Sequence, residues 1–85
     1  MNAKVTFDSI PDDVKEIIEK IRHNRWDVVM VKKMTDGAFT WFTAWLKWTD
    51  VIRVVVVSQF GGGFTSVNTV SFTAKDMDDI KVMLA

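Results

Sequence analysis

The stretch Ala38-Phe39-Thr40-Trp41-Phe42-Thr43-Ala44-Trp45-Leu46-Lys47-Trp48, followed by Thr49-Asp50 and then Val51-Ile52-Arg53-Val54-Val55-Val56-Val57-Ser58-Gln59-Phe60, decides the reading of the fold. Two runs rich in β-branched and aromatic residues flank a two-residue turn signal, the pattern of an antiparallel hairpin. Under regular alternation Ala38, Phe42, Ala44, Leu46 and Trp48 point one way, and Phe39, Trp41, Thr43, Trp45 and Lys47 the other. In the second run Ile52, Val54, Val56 and Phe60 oppose Arg53, Val55, Val57 and Gln59. Both faces therefore carry large apolar groups, and a sheet of this kind needs cover on both sides.

Working outward, Asp36-Gly37 and Gly61-Gly62-Gly63 bound two further runs, so strands are predicted over 27–34, 38–48, 51–60 and 64–72. Their short connections exclude parallel crossovers. Towards the N-terminus, Val5 and Phe7 alternate with Lys4 and Thr6, which predicts a short strand over 3–7. Val14, Ile17, Ile18 and Ile21 then recur at helical spacing behind Pro11, Asp12 and Asp13, which predicts a helix over 11–23 with Ser9 and Asp12 as a capping box. Towards the C-terminus, Thr73 caps a predicted helix over 74–84 whose stripe is Met77, Ile80, Met83 and Leu84. The expectation is a single α+β domain over residues 1–85, β-α-β-β-β-β-α, with an antiparallel sheet of four to five strands and a helix near each terminus.

The 85 residues suffice for one core, and 48% hydrophobic with 26% charged residues argues against disorder. Eleven basic and eleven acidic side chains cancel, so no overall field steers the molecule to nucleic acid or acidic lipid. Without cysteine there is neither a disulfide framework nor thiol chemistry; this suits a reducing compartment, and a cytoplasmic location is expected. Met1–Phe7 lacks the layout of a secretory signal, and the longest apolar run, Val54–Val57, is far too short to span a bilayer, so no membrane role is expected. The strand-to-helix units beginning Val5-Thr6-Phe7 and Val70-Ser71-Phe72 echo each other, and acidic first turns account for the echo.

Catalytic and metal chemistry find little support. His23, the single histidine, falls where the first helix should end and complements its dipole there. Asp76, Asp78 and Asp79, like Asp12, Asp13 and Glu16, occupy helix starts without calcium-loop spacing. Gly61–Gly63 lacks the Lys-Ser or Lys-Thr of a phosphate loop and leads into a strand. No cofactor, metal or enzymatic activity is expected.

A binding role remains. Residues 22–60 carry six basic side chains (Arg22, Arg25, Lys32, Lys33, Lys47, Arg53) against three acidic ones (Asp27, Asp36, Asp50). Trp41, Trp45, Lys47 and Arg53 are the candidate binding residues, expected on one sheet face. Bases stack on aromatic rings while cations follow phosphates, so single-stranded nucleic acid is the favoured partner. A protein partner docking on the same aromatic strand, as on a small inhibitor or adaptor, is the alternative. A homodimer is also expected, because two short helices leave apolar sheet surface uncovered.

The order of four strands and a helix, ending in Val70-Ser71-Phe72-Thr73-Ala74-Lys75-Asp76-Met77, resembles the strand-to-helix exit of the positive cofactor four and Whirly group of single-stranded DNA-binding proteins. The resemblance covers residues 26–85 by element order. It implies dimerisation through the terminal helix and DNA lying across the sheets. The leading strand and helix, and the uncharged Gly61–Gly63 loop, depart from that group.

Overall fold

The computed structural model describes residues 2–61, 63–73, 78 and 81. Strand β1 (Asn2–Val5) leads through a 3₁₀ turn (Phe7–Ser9) to helix α1 (Asp12–Arg22). Four ten-residue strands follow: β2 (Asp27–Asp36), β3 (Phe39–Trp48), β4 (Val51–Phe60) and β5 (Phe64–Thr73). All pairings are antiparallel, and the spatial order of the strands equals their order in the chain, β1 to β5. This corrects the expected α+β arrangement with a helix near each terminus. The described fold is a five-stranded meander bearing one α-helix, α1, inserted between β1 and β2. The helix expected over 74–84 lies outside the described residues apart from Asp78 and Lys81.

Several local expectations shift. The first strand stops at Val5, and Phe7 enters the 3₁₀ turn, where Ser9 Oγ donates to the Thr6 carbonyl at 2.8 Å. Ser9 is thus committed to that turn, and Pro11 occupies the position before α1 without a side-chain cap. Asp13 accepts the Val14 N–H at 2.8 Å instead. His23 follows α1 in the left-handed region, φ 51°, and its N–H donates to the Glu19 carbonyl at 3.2 Å.

Register places every side chain. Phe42, Ala44 and Leu46 lie opposite Val57, Val55 and Arg53 on one face, which α1 covers. Val14 and Ile18 of α1 are fully buried there with Ala44, Leu46, Val55 and Val57, and Ile10, Trp26, Val31 and Phe42 complete this core. Burying a leucine- or isoleucine-sized side chain contributes about 1.5–3 kcal/mol, so this one layer supplies most of the apolar stabilisation. The core extends to β2 by way of a β-bulge between Val28 and Met30. The extra residue turns Val28 inward against the core and leaves Val29 42% exposed.

The opposite face is open among the described residues. Lys47, Trp45, Thr43 and Trp41 lie there opposite Ile52, Val54, Val56 and Ser58. The end of it beside the β3–β4 turn is nevertheless built: Ile52 is fully buried beneath Trp45, Val54 and Phe72. Val70, opposite Val54, is 61% exposed beside it, and Met34, Phe39 and Phe60 are 42%, 46% and 50% exposed at the far end of the same face.

Candidate binding surfaces

The four residues singled out from the sequence separate into two groups. Trp41, Trp45 and Lys47 share the open face, whereas Arg53, opposite Leu46 in the register, belongs to the face that carries α1. The expectation of one shared face is therefore corrected. Lys47 lies opposite Ile52 and Arg53 opposite Leu46, and neighbouring register positions alternate between the two sides of the sheet.

On the open face the aromatic rings engage one another. Phe39 stacks on Trp41 with centroids 5.6 Å apart and an interplanar angle of 14°, and Phe39 meets Phe60 at 4.7 Å. Lys32 Nζ stands 5.5 Å from the Trp45 ring. The cations there, Lys4, Lys32 and Lys47, are partly balanced by Asp27, which faces Lys47, and by Asp36, which faces Phe39. The surface is broad, aliphatic and aromatic, with little net charge.

Arg53 joins a different set of residues, and the turn after α1 explains how. Arg22, the last residue of the helix, donates from Nε to the Trp26 carbonyl at 2.6 Å and from Nη1 to Glu19 Oε1 at 3.0 Å. The backbone N–H groups of Arg25 and Trp26 both donate to the Arg22 carbonyl, at 3.0 and 3.2 Å. Positive φ angles at His23 and Asn24 let the chain reverse in so few residues. This clamp presses the Trp26 indole into the edge of the core, where it is 6% exposed.

Trp48, at the end of β3, meets Trp26 edge-on with centroids 5.7 Å apart and remains 45% exposed. The Arg53 guanidinium lies 4.4 Å from the Trp26 ring, and that of Arg25 lies 5.7 Å from the Trp48 ring. Together with His23 these residues line an open pocket of roughly 580 Å³.

The lining contains two guanidiniums, one imidazole and two indoles, and no carboxylate. The ion pairs of the described residues lie elsewhere: Lys15 with Asp8, Lys20 with Glu16 and Arg22 with Glu19. Arg53 makes one long hydrogen bond, Nε to Ser71 Oγ at 3.4 Å, and among the described residues the rest of its fork is open. Arg25 makes no side-chain hydrogen bond among the described residues. Such a concave site can take an anion between the guanidiniums and a flat ring against Trp48.

Sequence reading missed this site because Trp26 and Trp48 belong to no common periodic pattern. Only the packing of the turn against the β3–β4 hairpin brings them together. One signal was present in the chain: Arg25-Trp26 and Lys47-Trp48 each place a cation beside an indole.

The other candidates have structural roles. Gly61 N–H donates to the Ala38 carbonyl at 2.9 Å and Gly63 N–H to the Phe60 carbonyl at 3.0 Å, so both are spent on closing turns. Among the described residues no three acidic or histidine side chains converge on a metal-sized site, and no helix is long and apolar enough to cross a membrane. Comparison of the chain with protein-family models, with curated proteins and with solved structures finds no match.

Proposed function

We propose that this chain is a non-catalytic binding module for a phosphate carried on a flat heteroaromatic ring, with single-stranded nucleic acid as the ligand class. The observation that carries the reading is the pairing of Arg25 with Trp48 and of Arg53 with Trp26 in one pocket without a carboxylate. An unpaired base stacks on the exposed face of Trp48, and its phosphate lies between the two guanidiniums. Each contact is of a kind that single-strand binders use, and neither needs sequence-specific hydrogen bonds.

The test is a titration of tryptophan fluorescence and of labelled-ligand anisotropy with three probes: inorganic phosphate, a nucleoside monophosphate and an unstructured oligonucleotide. Tightest binding by the oligonucleotide, weakened by both Arg25→Ala and Trp48→Ala, supports the reading. A monophosphate that binds as tightly as the oligonucleotide identifies a free nucleotide as the ligand instead. No response at low salt with protein at tens of micromolar overturns both.

A second reading, a protein partner on the open face, is favoured by Ile52. A side chain completely buried on a face that no described element covers, with Val70 exposed beside it and Met34, Phe39 and Phe60 exposed farther along the same face, suits an apolar interface.

A further inference from the structure

The two edges of the sheet are unlike. On one side β1 has four residues and carries Lys4, two of the devices that keep an edge from pairing with another chain. On the other side β5 has ten residues, Phe-Thr-Ser-Val-Asn-Thr-Val-Ser-Phe-Thr, with no charged residue, no proline and no glycine. Every residue of β5 is in register with β4, from Phe64 opposite Phe60 to Thr73 opposite Val51, and no bulge twists the strand away. Among the described residues nothing pairs with its outer edge. Alternate residues of an antiparallel strand direct their N–H and C=O groups away from the existing partner, so this edge offers a full-length row of donors and acceptors that no described residue meets.

From this we infer that β5 pairs with β5 of a second copy, antiparallel about a two-fold axis, joining two five-stranded sheets into one of ten strands. The inference stands on β5 alone and is independent of the pocket reading. A second copy is the occupant that the chemistry of the strand favours. Antiparallel self-pairing sets the strand against its own sequence, so any charge would meet charges of the same strand across the axis, and β5 has none. The same pairing of β1 would set Lys4 against its twin when centred on Lys4, and diagonally across from it when centred on Ala3.

Geometry narrows the register. Directly opposed residues must lie on the same face, so the axis passes through a residue and not between two. Centring on Asn68 or on Thr69 leaves nine of the ten residues paired. In the first case Asn68 faces itself, Val67 faces Thr69 and Ser66 faces Val70. In the second case Thr69 faces itself, Val67 faces Ser71 and Asn68 faces Val70. Either arrangement gives Val70, 61% exposed at this rim, a cross-strand neighbour.

Because the chain lacks cysteine, single-cysteine variants give an unambiguous test. Light scattering at about 1–100 μM should report twice the chain mass of 9.7 kDa. Residues opposed across an antiparallel pair have Cα atoms roughly 4.5–5.5 Å apart, within disulfide reach, so either Asn68→Cys or Thr69→Cys should cross-link on mild oxidation. Asp50→Cys, in the β3–β4 turn, should not. The double substitution Val67→Lys with Thr69→Lys, both on the helix-bearing side and away from the open face, should weaken the dimer by roughly tenfold while leaving the circular dichroism of the fold unchanged. A monomer throughout the concentration range overturns the inference. So does a dimer that neither cysteine cross-links, or one that resists the double substitution and dissociates with Phe60→Asp on the open face. None of these results bears on oligonucleotide binding, which is titrated separately on the unsubstituted protein.

Discussion

The Gln59 side-chain amide donates to Asp13 Oδ2 at 2.9 Å, joining β4 to the first turn of α1 across 46 residues of sequence. Gln59 is a buried polar residue on the face whose core is otherwise apolar, and the helix supplies the acceptor that its amide needs. Asp13 also holds the Val14 N–H at 2.8 Å, so one carboxylate starts the helix and fastens it to the sheet. Replacing Gln59 with Met keeps the volume and removes the bond. The expected cost is about 1–2 kcal/mol in urea denaturation, since the released carboxylate regains water. No loss of stability would show that the bond does not hold α1 in place.

The helix-covered core and the rim of the open face should respond differently to truncation. Ile18 and Leu46 are fully buried between α1 and the sheet. Ile18→Ala and Leu46→Ala should each cost about 2–5 kcal/mol, from lost transfer free energy and the cavity left behind. Val70→Ala, at a position 61% exposed, should stay within about 0.5 kcal/mol. A large loss at Val70 in the monomer would mean that something covers that rim.

Backbone strain at two turns gives a prediction of opposite sign. Thr49 has φ 58° and His23 has φ 51°, in the left-handed region that β-branched residues in particular avoid. Thr49 offsets part of the cost by donating from Oγ1 to the Trp48 carbonyl at 2.6 Å. Thr49→Gly and His23→Gly should each raise stability by about 0.5–1 kcal/mol, read as a higher melting temperature. His23→Ala keeps the strained backbone and should be nearly neutral. A destabilised His23→Gly variant would show that the imidazole supports the pocket wall.

Salt dependence separates the two surfaces. If Arg25 and Arg53 neutralise phosphates, each alanine variant should lower the slope of log affinity against log salt by roughly one counterion. Trp48→Ala should cost about 1–3 kcal/mol, the size of one stacking contact. Trp41→Ala and Trp45→Ala should leave oligonucleotide affinity unchanged, because both lie across the sheet from the pocket. The reverse pattern would move the site to the open face.

Strand identity was legible because composition and turn chemistry agree from Asp27 onward. β4 falls where its apolar run predicts, and the other strands differ by a residue or two at their ends. Helix α1 was legible from the spacing of Val14, Ile17, Ile18 and Ile21, which the core confirms as its inward stripe. Arg53 was misplaced in the sequence reading, because grouping it with Trp41, Trp45 and Lys47 requires knowing the register across the Thr49–Asp50 turn. One residue of register moves a side chain through the sheet.

The sequence by itself determined that this chain forms hairpins with two apolar faces, since alternation and two- or three-residue turns leave the backbone little other choice. Tertiary structure alone decided which face α1 covers, which residues meet across strands, and where the cations collect. Those outcomes depend on contacts between residues distant in sequence. The bulge at Val28 and Met30 exchanges inward and outward positions within β2, and the Arg22 clamp carries Trp26 to Trp48 and Arg53. Neither leaves a periodic trace along the chain, because each is a single local irregularity whose effect appears only when other strands pack against it.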